Sequence, residues 1–156
     1  MYFWRTDQLI DDLKHDRVTN TQFKNYYLVG SILMLLSFFV LDISPAKPLK
    51  LSMANFLINL GLLITWTNII YKVNGAENGR HFFGRCFALF LPITIKLFVV
   101  LLILFLILQT LLQATGFSSM YTIDGDMNGI ETYISGIIFS FLTYWRVYAA
   151  MIKINA

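Results

Sequence analysis

The sequence predicts an all-α integral membrane protein: a four-transmembrane-helix bundle preceded by a short N-terminal amphipathic helix. Three observations carry this expectation. The run from Cys86 to Thr115 holds one charged residue, Lys96, and Leu97 to Leu108 has no polar atom in any side chain. About 20 apolar residues at ~1.5 Å rise cross the ~30 Å hydrocarbon core of a bilayer, and comparable apolar runs recur roughly four times along the chain. The composition is 57% hydrophobic and 13% charged over 156 residues, whereas soluble domains carry about 25% charged residues. Four spans use up most of the chain, leaving an N-terminal segment and three loops. Unpaired backbone groups are not tolerated in hydrocarbon, and a barrel would show alternation, so the long unbroken runs are helices.

Residues 1–24 form the predicted cytoplasmic segment and residues 25–152 the transmembrane domain. Within the first, residues 5–18 read as a short helix. At 100° per residue, Tyr2, Phe3, Leu9, Ile10 and Leu13 share one side, and Asp11, Asp12, His15 and Asp16 cover the other. Thr6 or Asp7 is suited to accept the free N–H groups of the first turn. Four aspartates are balanced by Arg5, Lys14, Arg17 and Lys24. A helix lying on anionic lipid has a strongly basic polar face, so this near-neutral segment points at least equally to docking on protein. Its charge also argues against a cleavable signal peptide, and the first span is expected to be retained.

Span one is predicted over about 26–43, with Tyr26 and Tyr27 as interfacial aromatics. Pro45 and Pro48 make a tight connection to span two, about 51–71. Two Asn-Gly turn signals follow, Asn74-Gly75 and Asn78-Gly79. Arg80 to Phe90 reads as an interfacial lead-in to span three, about 91–112, with Pro92 in its first turn where the missing N–H costs little. A longer loop leads to span four, about 129–151.

Formal net charge is +3. The bases sit beside apolar segments, so topology accounts for them and no nucleic-acid partner is expected. One side collects Arg5, Lys14, Arg17, Lys24, Lys72, Arg80, Arg85, Arg146 and Lys153, against Lys47 and Lys50 on the other. The positive-inside rule then places both termini and the second loop in the cytoplasm of a bacterial inner-membrane protein. Cys86 is the only cysteine, which excludes a disulfide framework.

Several groups of residues bear on chemistry. Asp124-Gly125-Asp126-Met127-Asn128-Gly129 matches the first half of a calcium loop, but Ser135 stands where a bidentate glutamate belongs. At most weak calcium binding is expected from Asp124, Asp126 and Asn128, and the same residues serve as a turn with Asn128 as N-cap and Glu131 completing a capping box. Asn55 and Asn59 on span two, and Gln109 and Gln113 on span three, are spaced i, i+4 at overlapping depth, so their carboxamides can pair across a helix interface. Lys96 and Arg146 enter their spans near the cytoplasmic side without an acid at matching depth; with Arg85 and Lys72 they form a candidate site for an anionic lipid headgroup or a partner's carboxylate. Thr65 and Asn68 share a face with Lys72. Gly136 and Ser140 are a small-xxx-small pair suited to close packing within the bundle or against another subunit.

Motifs for metalloprotease, serine hydrolase, phosphate-loop and dithiol chemistry are missing from the sequence. Asp42, at the outer end of span one, is the only candidate carboxylate for an intramembrane acid–base pair, and His15 and His81 lie outside the spans. The expectation is therefore a non-enzymatic accessory or scaffold subunit of a larger inner-membrane complex, with lipid and another membrane protein or a second copy as partners and no cofactor beyond the weak calcium loop. The alternative is a small oligomeric transporter or channel whose polar path uses Asn59, Gln109, Lys96 and Arg146. An intramembrane enzyme acting on lipid ranks last, because no nucleophile–base pair can be named.

Overall fold

The computed structural model describes residues 4–42, 49–79, 81–114 and 127–155. Among these the regular elements are all helical: α1 (Thr6–Lys14), α2 (Asn20–Asp42), α3 (Leu49–Val73), a 3-10 turn at Ala76–Asn78, α4 (Phe82–Ala114) and α5 (Met127–Asn155). Three stretches are long and apolar enough to cross a membrane: Leu49–Val73, Phe82–Leu108 and Tyr133–Asn155, with mean hydropathies of 1.5, 2.9 and 1.3. Among the described residues the chain is all-helical, and these three helices are compatible with a membrane protein. The proline-bounded connection at Pro45 and Pro48, Arg80, and the Asp124 and Asp126 loop lie outside the described residues.

The helix boundaries have local causes. α1 begins after Arg5, and no side chain caps it, so the predicted cap at Thr6 or Asp7 is not made. α2 opens with a capping box that the sequence reading overlooked. The Gln22 N–H donates to Thr19 Oγ1 at 3.3 Å, and the Thr19 N–H donates to Gln22 Oε1 at 3.0 Å. Val18 and Phe23 flank the box at the positions of a hydrophobic staple, and both pack against the core. α3 ends where Gly75 takes up a left-handed φ of +100°, a conformation glycine adopts without steric cost.

α4 departs from the predicted span three. It starts at Phe82 and runs unbroken for 33 residues with Pro92 inside it. The stretch to Phe90 is thus the first turns of the helix rather than a separate lead-in. Pro92 removes one backbone donor there, and its ring is fully buried among the packed residues.

α5 is the centre of the packing. It lies against α3, α4 and α1, while α2 packs against α4. The long helices therefore follow the spatial order α3, α5, α4, α2, which is not their order in the chain. Aromatic contacts mark each seam: Trp66 of α3 meets Phe141 and Tyr148 of α5 edge-on at ring-centre distances of 5.5 and 5.8 Å, Phe90 of α4 meets Tyr144 of α5 in a tilted pair at 6.0 Å, and Tyr27 of α2 meets Phe87 of α4 edge-on at 5.6 Å.

The core sits at one end of this row. Its buried members are Leu9 and Leu13 of α1, Tyr26 early in α2, Ile70 late in α3, Ala88, Leu89, Leu91 and Ile93 early in α4, and Val147, Ala150, Met151 and Ile154 late in α5. Towards the other end the large apolar side chains point outward, as at Ile32 to Leu36 and Leu102 to Leu108. That pattern suits lipid as the solvent, since acyl chains are as apolar as leucine and do not drive these residues together.

Candidate functional site

Two features of the packed end could carry function: a buried arginine that ties the helices together, and a basic cavity beside α1.

Arg85 is 6% exposed and sits in the first turn of α4. Its Nη1 donates to Asn74 Oδ1 and Asn155 Oδ1, and its Nη2 to the Leu13 carbonyl and Asp16 Oδ1, each at 3.3 Å. One guanidinium thus reaches the end of α1, the turn after α3 and the end of α5. Arginine suits this position because its donors fan out in a fixed plane. Asn155 extends the network: its Nδ2 donates to the carbonyls of Val73 and Met151 at 3.1 Å. Asp16 presents its carboxylate from a left-handed φ of +52°, a conformation that aspartate and asparagine adopt more readily than most residues.

The turn below Arg85 is built to hold Asn74. A Cβ on Gly79 would lie 2.2 Å from the Asn74 carbonyl oxygen and 2.6 Å from its Nδ2. Gly79 has an ordinary extended backbone, φ −73° and ψ 139°, so it is needed for space rather than for conformational freedom. On the outer side of α1, Arg17 pairs with Asp12 at 2.8 Å and with Asp11, and His15 Nδ1 meets the Asp11 carbonyl at 2.8 Å. The hydrogen bonds to Asp12 and then Asp11 raise the pKa of the Arg17 guanidinium above its ordinary value.

The cavity lies between α1, α4 and α5 and has a volume of about 360 Å³. Lys96 of α4 and Arg146 and Lys153 of α5 line it, with Thr6 and Asp7 of α1 on the facing wall. Leu97, Val100, Leu142 and Trp145 complete it on the side away from the packed end. α1, with its exposed carboxylates, stands at the level of Lys96 and Arg146. Lys96 and Arg146 each fall within a stretch long and apolar enough to cross a membrane, and α1 brings Asp7 to the same cavity.

The residues expected from sequence are placed as follows. Lys96 and Arg146 share the cavity. Arg85 is on the same face of α4 as Lys96 but three turns away, about 16 Å at 1.5 Å per residue, and its donors go to the network just described. Lys72, with Thr65 and Asn68, is exposed on α3, and none of the three lines the cavity. Asn59 donates through Nδ2 to the Asn55 carbonyl and to Asn55 Oδ1, both at 2.9 Å, so the pair is satisfied within one helix. The side chains of Gln109 and Gln113 lie outside the described residues, as do those of Asp42, Asn128 and Glu131. Near the start of α3 the polar contact that crosses to a neighbour is Ser52 Oγ with Tyr133 Oη of α5, at 3.1 Å. Gly136 has open space beside it, so the small-residue pair does not bring α5 close to another helix of this chain. Among the described residues no group of His, Cys, Asp and Glu is arranged to hold a metal ion.

Sequence reasoning missed Lys153 as a cavity residue. The signal was present: it lies seven residues after Arg146, which returns to nearly the same side of a helix. Asn74 and Asn155 gave no comparable signal, since a turn asparagine and a helix-end asparagine are common for local reasons.

No protein-family model matches the chain, and no curated protein or solved structure is significantly similar to it.

Proposed function

We propose that the chain is a non-enzymatic polytopic membrane protein that serves as an accessory or scaffold subunit of a larger bacterial inner-membrane complex. In this reading α2 is a fourth crossing, α1 lies along the cytoplasmic boundary, and both termini face the cytoplasm. The Arg85 network is the observation that carries it. A buried guanidinium fixes the ends of three helices and a turn to one another, so the polar groups at this end serve rigidity. A rigid end joined to an open row of apolar helices suits a part that positions other parts. The flanks of the row, α2 and α3, carry large outward apolar side chains such as Leu35 and Phe56, and Gly136 leaves α5 open to close approach from outside the chain.

Cross-linking in intact native membranes, followed by gentle extraction, tests the proposal. A defined membrane-protein partner at fixed stoichiometry is expected. A lone monomer, with no cross-linked partner in the native membrane, would overturn it. Tags on the two ends test the topology separately: both are expected to be shielded in sealed cells, and detection of either from outside rejects the orientation.

A further inference from the structure

We propose that the cavity between α1, α4 and α5 holds the phosphate headgroup of one anionic phospholipid. This goes beyond the scaffold reading and does not depend on it. Charge is the first argument. Three cations, Lys96, Arg146 and Lys153, converge on the cavity against a single carboxylate, Asp7. None of the three makes an ion pair among the described residues. Cations brought together on two helices repel one another, and a phosphate between them relieves that repulsion.

The second argument is the end of α1. This nine-residue helix opens at Thr6 on the cavity wall, and no side chain caps it. Its first-turn N–H groups have no helical acceptors, and together with the helix dipole they favour an anion. Thr6, on the cavity wall, carries a hydroxyl that can serve as a further donor.

The polarity gradient is the third argument, and it selects a lipid over a free anion. α4 and α5 run antiparallel, so the cavity has a direction. Lys153 lies towards the packed end, Lys96 and Arg146 come next, and Val100 and Leu142 lie about one turn further along the apolar helices. A phosphate with acyl chains follows the same order, charge first and hydrocarbon beyond. The volume of about 360 Å³ falls within the ~300–1,000 Å³ of small-ligand sites. An excess of positive charge favours a headgroup without its own ammonium.

The full chain in neutral detergent, studied by native mass spectrometry with added lipid, tests the site. Phosphatidylglycerol is expected to be retained at one molecule per chain, and phosphatidylcholine of the same acyl chains far more weakly. Each charge removed is expected to weaken retention roughly fivefold. Lys153→Gln is the informative single variant, because Lys153 is exposed near the end of α5 and its loss leaves the packed end intact. Lys96→Gln combined with Arg146→Gln should lose about the square of that factor, with circular dichroism reporting the fold. Lys50→Gln, outside the cavity, should bind as the parent does. Equal retention of both lipids, unchanged binding by the Lys153 variant, or displacement of the lipid by inorganic phosphate at equal concentration would each overturn the proposal. The last of these would reassign the cavity to a free phosphate.

Discussion

Arg85 and Asp16 stand 69 positions apart in the chain, yet Arg85 Nη2 lies 3.3 Å from Asp16 Oδ1. The arginine side chain is 7% exposed and the aspartate 45%, so the pair joins a buried charge to one that still meets solvent. The carboxylate offsets much of the cost of burying the guanidinium, and three neutral acceptors supply the rest. Without Asp16 the charge would remain buried with dipoles alone.

Asp16→Ala is expected to lower stability by about 1.5–3 kcal/mol, the range for hydrogen bonds to charged groups. Asp16→Asn should lose less, since asparagine keeps an acceptor and tolerates the left-handed backbone. Thermal unfolding in detergent, read by circular dichroism, ranks the two. Equal losses would show that the negative charge facing Arg85, which both variants remove, is what matters at this position, and not the backbone conformation.

Gly79 and Gly136 give opposite expectations for the same change. Gly79→Ala forces a methyl group onto the Asn74 backbone and displaces an acceptor of Arg85, at about 1–3 kcal/mol. Gly136→Ala meets nothing within 4 Å and replaces a poor helix former, so up to about 1 kcal/mol of stabilisation is expected in the isolated chain. Melting temperatures of the two variants should move in opposite directions.

Thr19→Ala removes one half of the capping box at the start of α2. A loss of about 1 kcal/mol is expected. Hydrogen exchange should speed up at the first-turn amides around Gln22 while α5 keeps its protection. A uniform increase over the whole chain would contradict a local role.

Trp66 joins α3 to α5 through two edge-on ring contacts. Such contacts contribute about 0.5–1.5 kcal/mol each beyond area burial. Trp66→Ala should therefore loosen α3 while the pairing of α2 with α4 survives. Disulfide trapping between cysteines introduced on α3 and α5 would report this. Trp66→Phe should retain most of the contact.

The helical class and the three long apolar helices were legible because they follow from composition and from unbroken apolar runs. The start of α4 was not. Pro92 reads naturally as a helix beginning, yet the helix continues through it, since dense packing at Ala88 to Ile93 compensates for one missing donor. Helix order was also hidden. Apolar faces carry little information on which neighbour they meet, and the asparagines of α3 satisfy each other instead of marking a partner. The cavity was half legible. Lys96 and Arg146 stand out as charges in apolar runs, whereas Lys153 is lost among helix-end bases and Arg85 looks like another of them. Distance along the helix axis separates Arg85 from that group, and its distribution of acceptors depends on segments remote in the chain.

The middle place of α5 has a consequence for biosynthesis. During translation α3 is completed before α5, the helix that lies against it, exists, and it must wait without its main neighbour. Only when α5 enters between α3 and α4 can Asn155 reach Arg85. A chain stalled before that point would carry α3 and α4 complete and still lack the helix that joins them.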